Sequence, residues 1–357
     1  MATRSWSQYL GVDAASRAAA KEKKVAELEA KHAAAVAELR ERLLSSEEGR
    51  LCGKQLAETG EWGRHGSPDE LVADAHLRRW LVARDWNVDV TYKLLIHHGG
   101  WRAHVIPKGF IEEGRVSGPL AANTIFLQGV DHDGRALIIV KVAHHSSKDR
   151  DLRQMKMFSV YIMEAMVALC DREKNPTCRL SSMFDLTGCS YQNMDAAVMR
   201  NILGILSTHY VERLSVLYFY NPPSLFFTLW NSMKGLLPEV TREKIKMIHP
   251  SDTSELHAWM PADTLPREYG GKGELLPIAT ACRRYGLPPF DGRADPEVPP
   301  PAPAPRARAA SGARAAASDA VDARLVVEDG EEGAGAAKEG LEAPAVAAAA
   351  AATAVVA

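Results

Sequence analysis

The chain has 357 residues, 46% of them hydrophobic, and a formal net charge of −2, so it is long enough for more than one domain and carries no overall pull toward nucleic acid or an anionic surface. Its five cysteines, Cys52, Cys170, Cys178, Cys189 and Cys282, form no C-x-x-C pair, and without a secretory leader they point to a reducing compartment. No apolar run reaches the ~18 residues a spanning helix needs, which excludes an integral membrane reading.

From Ala14 to Glu48 the chain is rich in Ala, Glu, Lys and Arg, and Val25, Leu28, His32, Val36, Leu39 and Leu43 recur at spacings of three and four. One long helix with a narrow apolar stripe is expected, serving either a short coiled coil or loose packing on the protein's own body. Ser67-Pro68-Asp69-Glu70 supplies a capping serine, proline at the first helical position and an acid three residues after the cap. Leu71, Ala75, Leu77 and Leu81 follow at helical intervals. Asn87 is the next expected cap, ahead of a helix bearing Val90, Leu94, Leu95 and Trp101-Arg102.

Beyond Pro119 strands and helices alternate. Ala136 to Val142, Ser182 to Leu186, Leu214 to Tyr220 and Lys244 to Ile248 read as strands; Leu152 to Arg172 and Asn193 to Tyr210 read as helices. This order predicts a mostly parallel sheet with right-handed crossovers. After Asp291 the chain turns to Pro, Ala, Arg, Gly and Glu without aromatics, a composition expected to stay disordered.

Signatures of covalent chemistry are missing. There is no G-x-S-x-G, G-x-x-x-x-G-K-[ST], H-E-x-x-H or G-x-G-x-x-G, and Gly270-Gly271-Lys272-Gly273 lacks the spacing of a phosphate loop. His97-His98 and His144-His145 have no accompanying cysteine or carboxylate cluster and read as packing or surface histidines. Ser182 with Asp185 is the one candidate nucleophile pair, and no histidine partner stands near it in the sequence. An enzyme is not expected, and neither is a metal or cofactor.

One helix is unusual. After Asn221-Pro222-Pro223, residues Leu225, Phe226, Leu229, Trp230, Met233, Leu236 and Leu237 fill a stripe of roughly 140° at helical spacing. That face suits a buried core helix, or a gate that covers an apolar cavity and meets a bilayer. The preceding strand, Leu214 to Tyr220, is almost continuously apolar, so both of its faces should be covered.

These motifs together resemble the CRAL-TRIO proteins over roughly Pro68 to Gly271. The matching segments are Leu77-Arg78-Arg79-Trp80-Leu81-Val82-Ala83-Arg84-Asp85-Trp86-Asn87-Val88, Trp101-Arg102, Asp133-Gly134-Arg135, Asp185-Leu186-Thr187-Gly188, Tyr210-Val211-Glu212-Arg213, Asn221-Pro222-Pro223 and Leu265-Pro266-Arg267-Glu268-Tyr269-Gly270-Gly271. The resemblance implies an α/β fold: an all-helical lead-in, then a CRAL-TRIO domain whose mostly parallel sheet floors a lipid pocket under a mobile gate helix. It divides the chain into a helical extension (1–66), the helical lead-in (67–110), the lipid-binding domain (111–290) and a disordered tail (291–357). It implies a cytoplasmic, peripherally membrane-associated carrier that encloses one lipid, phosphatidylinositol or another phospholipid, and meets a membrane surface transiently. Phe184, Leu217, Phe219, Leu225, Phe226, Leu229, Trp230 and Met233 would line the pocket and gate, and Arg84, Ser182, Glu212 and Lys244 would meet the head group. Phosphatidylinositol-binding members carry a lysine where this chain has Asp85, a charge reversal that weighs against that lipid and that Arg84 would offset. The alternatives are a tocopherol-like ligand, or a lipid-sensing adaptor that binds a protein partner through its N-terminal helix. Nucleic acid is not an expected partner.

Overall fold

The computed structural model describes residues 6–63, 66–148, 150–190, 193, 195–224 and 242–288. Contacts divide the chain into two units, Met1–His104 and Val105–Ala357.

The first unit is helical. Helix α1 (Trp6–Ser45) buries Val36, Leu39 and Leu43, while Val25 and Leu28 of the same stripe are 53% and 52% exposed. The stripe changes over at His32, whose ring stacks on Trp86 at 3.5 Å between centroids. Ser46 ends α1 and caps α2 (Glu47–Glu58) by accepting from the Gly49 amide at 3.0 Å. The capping box at Ser67 forms, but it opens a 3₁₀ turn (Pro68–Val72) and not the α-helix its sequence predicts. Ala73 turns extended at ψ 139° and restarts the chain as α3 (Asp74–Val82), with Arg40 Nε donating to the Val72 carbonyl at 3.1 Å. Asn87 caps α4 (Val88–Val105) through the Val90 amide, as predicted. Leu77, Trp80, Leu81 and Leu95 are fully buried among these helices.

The second unit is a five-stranded sheet with helices. After the short α5 (Ser117–Ala121) come β1 (Ile125–Val130), β2 (Ala136–Lys141), α6 (Leu152–Leu169), β3 (Leu180–Asp185), α7 (Ala196–His209), β4 (Leu214–Tyr220), β5 (Ile245–Ile248), α8 (Ser254–Trp259) and α9 (Ile278–Tyr285). Strand order is β1-β2-β3-β4-β5; β1 pairs antiparallel with β2, and every later pair is parallel. The sheet is mostly parallel, as the alternation of elements predicted. β1 is an addition, because Ile125-Phe126-Leu127-Gln128-Gly129-Val130 does not alternate.

The β1–β2 hairpin is tied by a buried ion pair. Arg135 Nε donates to Asp131 Oδ2 at 2.7 Å, its Nη1 donates to Ser215 Oγ at 2.9 Å, and its guanidinium lies 4.3 Å from the Trp259 ring. Ser215 is free to receive it because it is the extra residue of a β4 irregularity between the Leu180↔Leu214 and Ser181↔Val216 pairs. Among the described residues no helix is long and apolar enough to cross a membrane.

Candidate functional site

Strand alternation sorts the sheet into two faces. On one, Leu137, Ile139, Met183, Val216, Tyr218, Tyr220 and Ile248 pack with Leu256, Met260, Leu265 and Tyr269 into a closed core. On the other, the register lays two rows across four strands. Ile138, Ser182, Leu217 and Ile245 form the first, and Val140, Phe184, Phe219 and Met247 the second. Leu217, Phe219 and Ile245 cluster there with Leu186, Phe184, Val142, Cys189, Leu214 and Met247. Both faces of β4 are covered, as its continuous apolar run predicted. The expected floor residues Phe184, Leu217 and Phe219 therefore meet on one surface, the two phenyl rings 5.9 Å apart. Ser182 is the single hydroxyl in the two rows.

Three of the four expected head-group residues lie in this unit. Glu212 and Lys244 face each other at 3.8 Å with side chains 14% and 16% exposed. Lys244 directly precedes β5, and its carbonyl accepts from the Leu217 amide of the first row at 2.8 Å. Glu212 sits at φ 53°, in a turn held by Arg213, whose Nη1 donates to the Thr177 carbonyl at 2.7 Å. Arg84 belongs to the first unit, where its Nη1 donates to the Ala83 carbonyl at 2.7 Å. Asp85 beside it adopts φ 50°, a left-handed conformation that Asp and Asn accept and lysine resists. Asp85→Asn therefore tests the charge without adding strain. The gate positions Leu225, Phe226, Leu229, Trp230 and Met233, and the tail from 291, lie outside the described residues.

Sequence reasoning missed a polar cluster at the carboxyl end of the sheet. Lys141 closes β2 and pairs with Asp185 at the end of β3 at 3.2 Å, and with Glu268. Tyr269 donates to the same Asp185 oxygen at 2.8 Å, and its ring meets Tyr220 edge-on at 4.8 Å. Thr187 donates its amide to Asp185 and accepts at its hydroxyl from Asn221, the residue that opens the Pro-Pro turn. Gly270 closes another 3₁₀ turn (Arg267–Tyr269) at φ 90°, and a Cβ on Gly271 would stand 1.9 Å from the Leu265 carbonyl oxygen, so these glycines serve a tight turn and not a phosphate. Ser182 and Asp185 point to opposite faces of β3, which separates the only candidate nucleophile pair.

Residues 121–271 match the model of the CRAL/TRIO domain. The chain carries a CRAL/TRIO domain. Relatives include the phosphatidylinositol transfer protein CSR1 of Eremothecium gossypii, 26% identical over 58% of this chain and 48% of its own length. The Sec14 cytosolic factor of Schizosaccharomyces pombe is 27% identical over 57% of this chain and 76% of its own. An alpha-tocopherol transfer protein-like protein of Pongo abelii is 22% identical over 69% and 72%. The chain spans about half the length of the first of these.

Within the CRAL/TRIO domain the Lys141 cluster ties the Asp185-Leu186-Thr187-Gly188 and Leu265–Gly271 motifs together, and its charges set a pH window. Burial opposes the charge on Lys141, yet Glu268 and Asp185 prevail and raise its pKa above the ordinary 10.5. Burial also opposes ionisation of Asp185, but the Thr187 and Tyr269 bonds and the Lys141 charge hold its pKa below the usual carboxylate value of 3.8. The carboxylate's contribution to stability is complete above its unfolded pKa and is lost as pH falls through its folded one; the lysine's is complete below its unfolded pKa and is lost as pH rises through its folded one. Both contributions are therefore present together between about pH 4 and pH 10.5. Urea midpoints measured downward from about pH 5 are expected to fall more steeply for the native chain than for Asp185→Asn. Equal slopes would remove Asp185 from the account.

Proposed function

We propose that the CRAL/TRIO domain encloses one lipid molecule over the Ile138–Ser182–Leu217–Ile245 and Val140–Phe184–Phe219–Met247 rows and exchanges it at membranes without covalent chemistry. The observation that carries this reading is a sheet face of eight side chains, seven apolar and one hydroxyl, with a half-buried ion pair near its edge. Each methylene of an acyl chain taken from water into such a site favours the complex by about 0.8 kcal/mol. In this reading Ser182, Glu212, Lys244 and Arg84 serve the head group, and residues 224–237, with Leu225, Phe226, Leu229, Trp230 and Met233, form the gate that opens at the bilayer. The ligand is phosphatidylinositol or another phospholipid, in keeping with the name of the Eremothecium relative. The name of the Pongo relative keeps a tocopherol-like ligand as the competing class. A cytoplasmic protein that visits membranes peripherally fits these features.

Mass spectrometry of lipids retained after incubation with mixed-lipid vesicles tests the proposal. Near one phospholipid per protein is the expected result; a sterol or prenyl-lipid would keep the carrier and replace its cargo, and an empty protein would refute it.

The exposed stretch of α1 favours a second reading, a lipid-sensing adaptor with a protein partner on that helix. Val36, Leu39 and Leu43 are core, so removing all of α1 would expose the first unit's interior. A shorter deletion, of residues 1–28, separates the readings. A carrier still retains its lipid after it, and an adaptor loses its protein partner.

A further inference from the structure

Residues Ser16 to Lys31 of α1 are all exposed, a run found nowhere else along the described helices of this chain. At 100° per residue, Arg17, Lys21, Lys24, Leu28 and Lys31 fall within an arc of about 80° and span about 21 Å of helix. Four cations and one leucine share that face, and none of the stretch's carboxylates does. Glu22 and Glu29 project from the far side, where Glu29 lies 4.0 Å from Arg78 of the same unit. Glu27 borders the basic face, one turn from Lys24 and Lys31, and is taken by Lys23 at 3.9 Å. Leu28 stands inside the basic stripe and is 52% exposed.

We infer that this face of α1 is a docking surface for an anionic lipid bilayer. The inference rests on the proposed exchange of lipid at membranes and names the surface that brings the protein there. Lys21, Lys24 and Lys31, with Arg17 on the same line, set positive charge along one face of the helix, which complements an extended sheet of negative charge. Each basic residue held near an anionic leaflet contributes about 1 kcal/mol, so the three lysines alone suffice for weak, reversible recruitment of a chain whose net charge is −2. Leu28 is too small an apolar patch to insert alone, which makes the attachment electrostatic and salt-sensitive. The β2–α6 connection holds a second group of cations, but Arg150 there is paired with Asp195, and Asp151 caps α6 beside Arg153.

Co-sedimentation of the full chain with phosphatidylcholine vesicles, with and without roughly one-third phosphatidylserine, tests the surface. Binding is expected only with phosphatidylserine, to weaken as salt rises, and to fall by at least about tenfold in Lys21→Glu/Lys24→Glu. The equal-charge control Lys54→Glu/Lys93→Glu, on the same unit but off the face, is expected to bind within about twofold of the native chain. Circular dichroism confirms that α1 persists in both. Equal loss in the control, binding without phosphatidylserine, loss confined to Lys148→Glu/Arg153→Glu, or tighter binding to a single-stranded oligonucleotide than to vesicles would each overturn the inference. Lipid retained by the same samples is measured separately. If the face variant loses vesicle binding and keeps its lipid, both readings stand; if the native chain docks but holds no lipid, the docking surface stands and the carrier reading falls.

Discussion

Glu61→Ala is expected to destabilise the first unit by about 3–5 kcal/mol, read as a lowered urea or thermal midpoint followed by far-ultraviolet circular dichroism. Glu61 is buried and receives Arg79 Nη2 at 3.1 Å and Arg102 Nη1 at 3.1 Å. Arg102 also donates to the Thr59 hydroxyl and carbonyl at 3.1 Å and 2.7 Å. His98 lies 3.6 Å from the same carboxylate, but burial drives its pKa down further than Glu61 raises it, so the ring stays neutral. One carboxylate therefore serves two buried guanidinium groups. Deleting it leaves two positive charges in a site that excludes water, and the cost is that of uncompensated charge more than of a lost hydrogen bond. Adding Arg79→Met to Glu61→Ala removes one of those charges and is expected to recover part of the loss. A loss below about 1 kcal/mol for Glu61→Ala would mean that water or other groups already screen the arginines.

This cluster also marks where the sequence stops being legible. Arg79 and Arg102 stand out within the Leu77–Val88 and Trp101-Arg102 segments, but Glu61 follows α2 in a turn with no periodicity and nothing local announces it. The same holds for the Lys141–Asp185–Tyr269 cluster, whose members are 44 and 84 residues apart in the chain and meet only when β2, β3 and the closing segment assemble. Strands β2 to β5 and helices α6 and α7 were legible because apolar runs and turn residues mark them locally. β1 was not, since Gln128 and Gly129 interrupt it and its pairing with β2 comes from the tertiary fold. The Ser67 capping box marks a true start, yet the element is a 3₁₀ turn because the chain extends again at Ala73. Alternation alone puts Leu217 and Phe219 on one face of β4, whereas Phe184 joins them only through the β3–β4 register. The 3.8 Å approach of Glu212 to Lys244 could not be read from the sequence, because it depends on a left-handed conformation that a glutamate rarely occupies.

That pair carries the largest expected effect on cargo. In Lys244→Ala, retained phosphatidylinositol is expected to fall by at least about tenfold while retained phosphatidylcholine changes by less than about twofold, because the phosphatidylcholine phosphate has its own choline cation as counterion, whereas that of phosphatidylinositol depends on the lysine for a charge-assisted hydrogen bond worth about 1.5–3 kcal/mol. On the proposed carrier reading, a lipid with an anionic head group and one with a zwitterionic head group would bury the same acyl chains over the Phe184 and Phe219 row. The two therefore differ in what meets Lys244, not in what meets the floor. Glu212 shares the site as the lysine's present partner, and Glu212→Gln leaves the ammonium available to phosphate while keeping the shape of the side chain. Retention of phosphatidylinositol in Glu212→Gln is expected to match or exceed the native level if the carboxylate only holds the lysine in place. It is expected to fall if the carboxylate instead accepts hydroxyls of the inositol ring. Equal losses of both lipids in Lys244→Ala, with the fold intact, would assign the pair to stability of the turn before β5 and leave head-group selection to other residues.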